Sequence, residues 1–157
     1  MQEHEKFIKE AVKMAKGNVN TGIGGPFGAL VVKDGEIIGR GVNKVTSTND
    51  PTAHAEVVAI RDACKNLNSY QLTDCIVYAS CEPCPMCLGA IYWARPAMLV
   101  YAAENTDAAK AGFDDSYIYK EVSLPPSKRK LPTLNIKPDE FFSPFKEWIE
   151  SETKKIY

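Results

Sequence analysis

Four residues in two short motifs carry the chemistry that this sequence can be expected to perform. His54 and Glu56 form a His-x-Glu pair, and Cys84 and Cys87 form a Cys-x-x-Cys pair beside prolines. Imidazole nitrogen and thiolate sulfur are common zinc ligands, and three protein ligands leave one coordination position for water. The motifs therefore predict one Zn²⁺ per subunit, with a bound water or hydroxide, held by His54, Cys84 and Cys87.

The spacing of the two motifs indicates where they lie on helices. Cys84 and Cys87 are three residues apart, which places both sulfurs on one helix face. His54 and Glu56 are two residues apart and point roughly 200° away from each other in mid-helix. They can converge on one ion only at the start of a helix, so we expect the metal at helix N-termini.

Residues around the motifs support this expectation. Segment 50–52 (DPT) offers a capping side chain and a first-turn proline before the His-bearing helix, and Pro83 and Pro85 do the same around Cys84. The partial positive charge at a helix N-terminus favours thiolate over thiol. Thiolate is the form that binds a metal.

Cys81 allows two other interpretations of the cysteine motif. It extends the pair to a Cys-x-x-Cys-x-x-Cys run like that of bacterial ferredoxins, but those have a further cysteine where this chain has Ile91. Alternatively, Cys81 is a fourth zinc ligand, which would make the site structural. Because Cys81 ends a predicted strand, it should point away from the following helix.

Composition indicates one ordinary globular domain. The 157 residues are 45% hydrophobic and 25% charged. Five cysteines do not fit a disulfide framework, and two are needed as thiolates, so a reducing cytoplasm is expected; Cys64 and Cys75 are interpreted as small core residues. Residues 1–9 are charged and lack an apolar signal core, and no run approaches membrane-spanning length, so no membrane partner is predicted.

The charge balance favours a small free substrate. Nineteen basic residues stand against twenty acidic residues, and the isoelectric point is near 6.1. Nucleic-acid-binding domains usually carry a basic excess, so no nucleic-acid partner is predicted. The basic cluster at 127–130 lies in a proline-rich stretch and is interpreted as a solvated loop.

Hydrophobic periodicity predicts a layered α/β domain. Asp34 and Gly35 are a two-residue hairpin signal between two strand-like runs. The strand–helix order after residue 75 implies parallel pairing. The predicted helices are 3–16, 53–66 and 84–94, and the predicted strands are 28–33, 36–41, 75–81 and 97–102.

The last third of the chain has a different pattern. Pro125 and Pro126 indicate an extended connector, residues 131–136 a short strand, and residues 139–154 a final helix. We therefore expect a single domain, 1–157, whose segment from about residue 124 either folds back on its own chain or docks on or exchanges with a partner subunit.

The sequence resembles bacterial guanine deaminases of the zinc-dependent cytidine-deaminase-like superfamily. The His-x-Glu and Pro-Cys-x-x-Cys motifs are the signature of zinc-dependent nucleobase deaminases. Further matching segments are 24–28 (GGPFG), 49–56 (NDPTAHAE), 89–96 (GAIYWARP), 111–119 (AGFDDSYIY) and Tyr157. The resemblance implies a three-layer α/β/α fold whose mixed central sheet has an antiparallel first hairpin, parallel later strands and flanking helices.

The resemblance also implies the reaction and its residues. Guanine would lose its 2-amino group by hydrolysis, giving xanthine and ammonia, with Glu56 and Asp115 as catalytic residues. A homodimer, with exchange of C-terminal segments as one arrangement, is expected. The implied substrate-binding residues are Phe27, Asn43, Ala55, Trp93, Asp114 and Tyr157.

Physical arguments leave alternatives for several of these residues. Phe27 and Trp93 can stack on a flat base or belong to the core. Asp114 and Asp115 can accept hydrogen bonds from N1–H and the 2-amino group of guanine, or form a turn or helix cap. Tyr157 is terminal, and chain ends usually fray.

Three other functions remain open at the level of sequence. A transfer-RNA adenosine deaminase shares both zinc motifs and acts on a flipped-out base. A cytosine deaminase would require a pocket too small for a purine. A non-catalytic, zinc-stabilised binding module would require four protein ligands, with Cys81 as the addition and Glu56 idle.

Overall fold

The computed structural model describes residues 2–157, which form seven α-helices and four β-strands. The strands are β1 (Gly28–Lys33), β2 (Glu36–Val42), β3 (Cys75–Cys81) and β4 (Met98–Ala103). The helices are α1 (Gln2–Thr21), α2 (Val45–Thr48), α3 (Ala55–Leu67), α4 (Pro85–Ala94), α5 (Asn105–Lys110), α6 (Ser116–Ser123) and α7 (Ser143–Glu150), with a 3-10 turn at Pro126–Lys128. None of these helices combines the length and apolar composition needed to traverse a bilayer.

One mixed sheet supports the predicted zinc site. Its strand order is β2-β1-β3-β4, in which β1 pairs antiparallel with β2 and β3, and β3 pairs parallel with β4. Asp34 and Gly35 have φ angles of 50° and 79°, and two positive φ angles are what a tight hairpin turn requires. The predicted hairpin and the parallel pair are confirmed.

Alternate residues of β1 pack on opposite faces of the sheet. Ala29 and Val31 belong to a buried cluster with α3 and α4, whereas Leu30 and Val32 belong to a cluster with α1. Because both faces are covered, β1 is a continuous apolar run instead of an alternating one. These layers form the predicted α/β/α arrangement.

Small residues let α3 approach β2 closely. A Cβ added at Gly41 would lie 2.1 Å from the carbonyl oxygen of Ala55 and 2.5 Å from the nitrogen of Ala59. No larger residue fits at this strand position without moving the helix. Strand β2 therefore fixes the first turn of α3, which carries His54 and Glu56.

The structure corrects three predicted elements. The first helix does not end at residue 16 but continues through Gly17 to Thr21. Residues 131–136 form no strand, since Pro132 lacks an N–H and no strand pairs with this segment in the described chain. The predicted helix 139–154 is shortened to the eight residues of α7.

A second compact unit, Ile118–Tyr157, follows the unit that contains the sheet. Within it, the backbone N–H of Lys130 donates to the Glu121 carboxylate at 2.6 Å, and the rings of Phe142 and Phe145 lie 5.7 Å apart. No residue of this unit is buried. The unit therefore has no hydrophobic core of its own.

Candidate metal centre and active site

The predicted metal ligands extend from the N-termini of two helices. His54 is the N-cap of α3, and Cys84 is the N-cap of α4; both have extended backbone. Cys87 is buried in the first turn of α4. Pro85 is the first residue of α4, where its missing N–H costs no helical hydrogen bond. The predicted position of the ligands at helix N-termini is confirmed.

The prediction that segment 50–52 caps α3 is wrong. The helix begins at Ala55, after the loop that contains Asp50. The Asp50 carboxylate instead accepts hydrogen bonds from the backbone N–H of Thr52 at 2.8 Å and from its hydroxyl at 2.6 Å. These bonds lower the pKa of Asp50. The carbonyl of Thr52 then accepts the N–H of His54 at 2.8 Å, so this loop orients the metal ligand.

The three donor atoms already have the spacing of a zinc site. Nδ1 of His54 lies 3.6 Å from Sγ of Cys84 and 3.5 Å from Sγ of Cys87, and all three atoms lie within 4.8 Å of one another. For tetrahedral zinc with bonds of about 2.1 Å to nitrogen and 2.3 Å to sulfur, the nitrogen–sulfur separation is about 3.6 Å. The donor set therefore fits Zn²⁺ in type and in separation.

The two thiols of the cluster differ in acidity. A hydrogen bond from Cys87 lowers the pKa of Cys84 to about 4, with help from His54 and against the effect of burial. The same bond raises the pKa of Cys87, and burial and Glu56 raise it further. Hydrogen bonding to Cys84 also raises the pKa of His54. One thiolate is thus present before metal binding, and a dication can displace the remaining proton.

Glu56 lies beside the ligands without joining them. It is the second residue of α3 and is 8% exposed. Among residues 2–157, the group of converging metal-ligand atoms contains His54, Cys84 and Cys87 but no carboxylate. Burial raises the pKa of Glu56, and the negative charge of Cys84 contributes. A carboxyl group in such a position can accept and return a proton near neutral pH.

Cys81 is not a ligand of this cluster. Its thiol donates to the carbonyl oxygen of Glu104 at 3.7 Å, and burial raises its pKa to about 11. The converging group in the described chain contains three residues and excludes Cys81. The four-ligand site required by the binding-module alternative is therefore not formed.

Asn43 is placed beside the loop that carries His54, because the N–H of Lys44 donates to the carbonyl of Ala53 at 2.9 Å. Oδ1 of Asn43 accepts the backbone N–H groups of Gly25 at 3.1 Å and Val45 at 3.2 Å. These two donors identify the atom as the amide oxygen. Nδ2 has no acceptor in the described part of the chain, so it remains available to a substrate.

Phe27 packs partly on the core and lines a cavity whose walls include none of the three metal-ligand residues. Its ring meets that of Phe113 edge to face, with centroids 5.0 Å apart and an interplanar angle of 86°. It packs partly on the core cluster below α3, and both rings line a cavity of about 280 Å³ that also reaches Cys81. The structure is compatible with both predicted roles, and contact with a base stays a prediction.

The two adjacent aspartates have different surroundings. Oδ1 of Asp114 accepts the N–H of Ser116, the first residue of α6, at 2.9 Å. Asp115 is half-buried, and burial, followed by the negative charge of Cys84, raises its pKa. The bond of Asp114 is that of the turn considered for the pair, whereas Asp115 lies close enough to Cys84 for that charge to raise its pKa.

Three predicted substrate-binding residues remain to be placed: Trp93, Ala55 and Tyr157. Trp93 is 64% exposed, and it follows Cys87 by six residues, or roughly 9 Å along the helix and 240° around it. It therefore does not share the ligand face of α4. Ala55 is 1% exposed at the start of α3. Tyr157 ends the second unit, is 64% exposed, and its contact stays a prediction.

Sequence patterns did not identify Asn18, which is 3% exposed on α1. It continues the buried stripe of Phe7, Ala11 and Ala15 at helical spacing. A polar residue in register with an apolar stripe would have been the signal. The prediction missed it because the helix was ended at Gly17.

Comparison with known proteins agrees with this geometry. Residues 1–103 match the family described as the cytidine and deoxycytidylate deaminase zinc-binding region. The guanine deaminase of Bacillus subtilis (strain 168) is 62% identical over 154 residues, which cover 98% of this chain and 99% of that protein. An X-ray structure of guanine deaminase from Bacillus subtilis superimposes with a TM-score of 0.96 and covers 98% of both chains.

Relatives named as tRNA deaminases match less of the chain. The tRNA-specific adenosine deaminase of Aquifex aeolicus is 42% identical over 99 residues, which cover 63% of this chain and 65% of that protein. Both kinds of relative share the deaminase part of the chain, but the guanine deaminase match extends over almost all of it.

Proposed function

The chain belongs to the cytidine and deoxycytidylate deaminase zinc-binding family, and on that premise we propose that it hydrolyses guanine to xanthine and ammonia. The observation that carries this proposal is the cluster of His54, Cys84 and Cys87 beside the buried Glu56. It occurs in a chain that is 62% identical, over 98% of its length, to a guanine deaminase. The cluster supports hydrolytic deamination, and the near-full-length similarity supports guanine as the substrate.

His54, Cys84 and Cys87 would hold the zinc ion. When bound, Zn²⁺ lowers the pKa of a water molecule from about 15.7 toward about 7, which makes a hydroxide nucleophile available at neutral pH. The N-terminus of α4, together with the hydrogen bond from Cys87, favours the thiolate form of Cys84. The chain thus supplies a cation site with three protein ligands, as catalytic zinc sites do.

Glu56 moves the protons of the reaction. Its carboxylate accepts a proton from the attacking water and delivers it to the ring nitrogen next to C2 of guanine. A second proton passes through the same carboxyl group to the departing amine, which leaves as ammonia. Its buried position and raised pKa suit a group that must act as base and then as acid.

Guanine differs from adenine in the groups that it presents beside the reacting carbon. Guanine has donors at N1–H and the 2-amino group, whereas adenine has an unprotonated N1 and no 2-amino group. Asp115 offers an acceptor near Cys84, so a carboxylate faces the donors of guanine but would face the lone pair of adenine. Asn43 offers Nδ2 as a donor to a ring acceptor, and Phe27 offers an aromatic wall.

Charge supports a free base over a nucleic acid. The chain carries 19 basic and 20 acidic residues. Burial raises the pKa of Asp115, and the negative charges of Cys84, Asp114 and Glu82 contribute, so the surroundings of Asp115 are acidic. A polyanionic RNA would be repelled by these carboxylates, but a neutral purine would not.

The activity is tested by measuring ammonia release from guanine, adenine, cytosine and their nucleosides, with and without a zinc chelator. Guanine should be the preferred substrate, and chelation should abolish release until zinc is restored. Faster ammonia release from adenosine in a tRNA anticodon loop, or from cytosine, would identify that compound as the substrate in place of guanine. Activity that survives complete zinc removal would overturn the mechanism.

We further propose that the second unit is covered by another copy of the chain in a homodimer, with exchange of C-terminal segments. Its apolar side chains are exposed and no residue is buried. Segments of about 40 residues rarely stabilise themselves without such a partner. The prolines at 125–126 stiffen the connector by fixing its backbone φ angles. The large exposed apolar side chains include Leu131, Leu134, Ile136, Phe145, Ile149 and Ile156.

The dimer is tested by sedimentation of the full chain and of a Phe145→Ser, Ile149→Ser variant. The unaltered chain should sediment as a dimer, and the variant should dissociate because both changes remove apolar area from α7. A Lys146→Ser variant on the same helix is the control. A monomeric unaltered chain at micromolar concentration would refute the proposal.

A cytoplasmic role in purine metabolism is the corresponding cellular proposal. All five cysteines are free, and the zinc ligands Cys84 and Cys87 must remain thiolates. Reducing compartments preserve that state. A cell fractionation experiment with an activity assay on each fraction tests the location.

A further inference from the structure

Asn18 is a buried amide that joins two separate segments of the chain. One hydrogen of its Nδ2 is donated to the carbonyl of Gly25 at 2.8 Å, and the other to the carbonyl of Asn43 at 2.9 Å. Both donors of the amide are therefore used, and neither serves the helix that carries Asn18. The hydroxyl of Thr21, three residues later, donates to the carbonyl of Asn18 at 2.7 Å and to its Oδ1 at 3.4 Å.

The two segments that Asn18 joins are also joined directly. Besides the bond to Gly25 through Oδ1, Asn43 donates its backbone N–H to the carbonyl of Phe27 at 3.2 Å. A Cβ added at Gly24 would lie 2.2 Å from the carbonyl oxygen of Asn43 and 2.6 Å from its Oδ1. Loop 24–27 and Asn43 therefore form one tightly packed unit.

Every polar group of Asn43 except one is engaged in this unit. The N–H, the carbonyl and Oδ1 are all hydrogen-bonded, and Oδ1 accepts two N–H groups. The direction of Nδ2 follows, because an amide is planar and its oxygen is held by two bonds. Asn18 holds the carbonyl of the same residue, so it restrains the backbone from which that amide extends.

We infer that Asn18 is a positioning residue for substrate binding, which acts through Asn43 and loop 24–27 and does not touch the base. The inference rests on the proposed function, in which Asn43 donates to a ring acceptor and Phe27 forms a wall of the pocket. Loss of Asn18 leaves two buried carbonyl groups without their donor, and such groups must move to find water. A displacement of about 1 Å at a substrate-positioning residue can lower a rate by about a hundredfold.

The test compares Asn18→Ala, Asn43→Ala and the double variant with the unaltered enzyme. Asn18→Ala should lower kcat/KM for guanine by about ten- to a hundredfold, mainly through KM, while zinc content stays at one ion per subunit. Because Asn18 acts through Asn43, the double variant should be no worse than Asn43→Ala alone. Losses that multiply would show that Asn18 does not act through Asn43.

Asn66→Ala is the matched control. Its Nδ2 donates to the carbonyl of Ile38 at 2.8 Å on the exposed side of the hairpin, so the same type of bond is lost away from the site. The control should lose stability without a change in KM. If Asn18→Ala does not fold, Asn18→Ser, which keeps one donor, takes its place. It is then measured alone and in combination with Asn43→Ala.

The outcomes separate the inference from the proposed function. An unaltered enzyme that does not deaminate guanine would refute the proposed function. An unaltered enzyme that deaminates guanine, with an Asn18→Ala variant of unchanged KM and kcat, would refute the positioning role alone. Lower thermal stability with normal kinetics would assign Asn18 to folding only.

Discussion

His54 and Glu56 extend from the same first turn of α3, yet only His54 contributes an atom to the metal cluster. The N-cap position of His54 directs its ring past the helix end, towards Cys84 and Cys87. Glu56 belongs to the helix proper and is buried beside them. In mid-helix, two residues with this separation would point in different directions. At the start of α3 the same separation places a metal ligand and a proton carrier side by side.

Glu56→Gln should bind one zinc ion per subunit and lose at least about a thousandfold in kcat. The amide keeps the shape of the side chain but cannot carry the proton, and acid–base catalysis contributes about 10²–10⁴-fold. Zinc content by atomic emission and ammonia release check the two effects separately. Glu36→Gln, at an exposed position on β2, is the control. Retained turnover in the Glu56 variant would exclude its role as the proton carrier.

Cys84→Ser and Cys87→Ser should each weaken zinc binding by more than about 100-fold, because even partners outside the ligand set contribute 10–100-fold. Cys81→Ser should keep its zinc, since its thiol points to the carbonyl of Glu104. Titration with a competing chelator measures all three. If the Cys81→Ser variant folds normally but loses its zinc, the interpretation of the site as one with four protein ligands would be restored.

Asp115→Ala should lower kcat/KM for guanine by about a hundredfold with little effect on folding, because a directed acceptor for guanine is lost. Asp114→Ala should instead cost about 1 kcal/mol of stability through the lost hydrogen bond to Ser116. Kinetics and urea unfolding of both variants distinguish the two roles. Exchanged outcomes would mean that Asp114 contacts the base.

The parts of the site predicted correctly from sequence are those determined by local spacing. His54, Cys84 and Cys87 come together because each pair lies at a helix start, and that arrangement is encoded within a few residues. The hairpin at Asp34 was predictable for the same reason. Short-range geometry therefore predicts which residues are the ligands, whereas the approach of α3 to α4 depends on packing against the sheet.

The parts that sequence reasoning missed depend on partners distant in the chain. Asn18 matters because Gly25 and Asn43 lie against α1 in the folded chain. Asp50 looks like a helix cap in sequence, but its own loop satisfies its carboxylate first. Segment 131–136 has strand-like residues but no pairing strand in the described chain. Tertiary contacts decide these cases, and local propensity does not.

Deletion of Tyr157 should lower kcat/KM for guanine by about tenfold, which corresponds to one contact worth about 1.4 kcal/mol. The expectation follows from the resemblance of the C-terminus to guanine deaminases. Tyr157→Phe keeps the ring and separates its contribution from that of the hydroxyl group. Steady-state kinetics of both variants check the prediction, and unchanged values would show that Tyr157 does not contribute to the reaction.

Gly41→Ala should damage the metal centre although Gly41 contacts no ligand. The new methyl group would lie 2.1 Å from the carbonyl oxygen of Ala55, so the first turn of α3 must move away from β2. Overpacking of this kind costs about 3 kcal/mol, and here it displaces His54 as well. The free energy of unfolding, measured in urea, and the zinc content should both decrease. Gly89→Ala on α4, where an added Cβ meets no atom within 4 Å, should leave zinc unchanged. Normal zinc affinity in a destabilised Gly41 variant would show that the position of His54 does not depend on contact between α3 and β2.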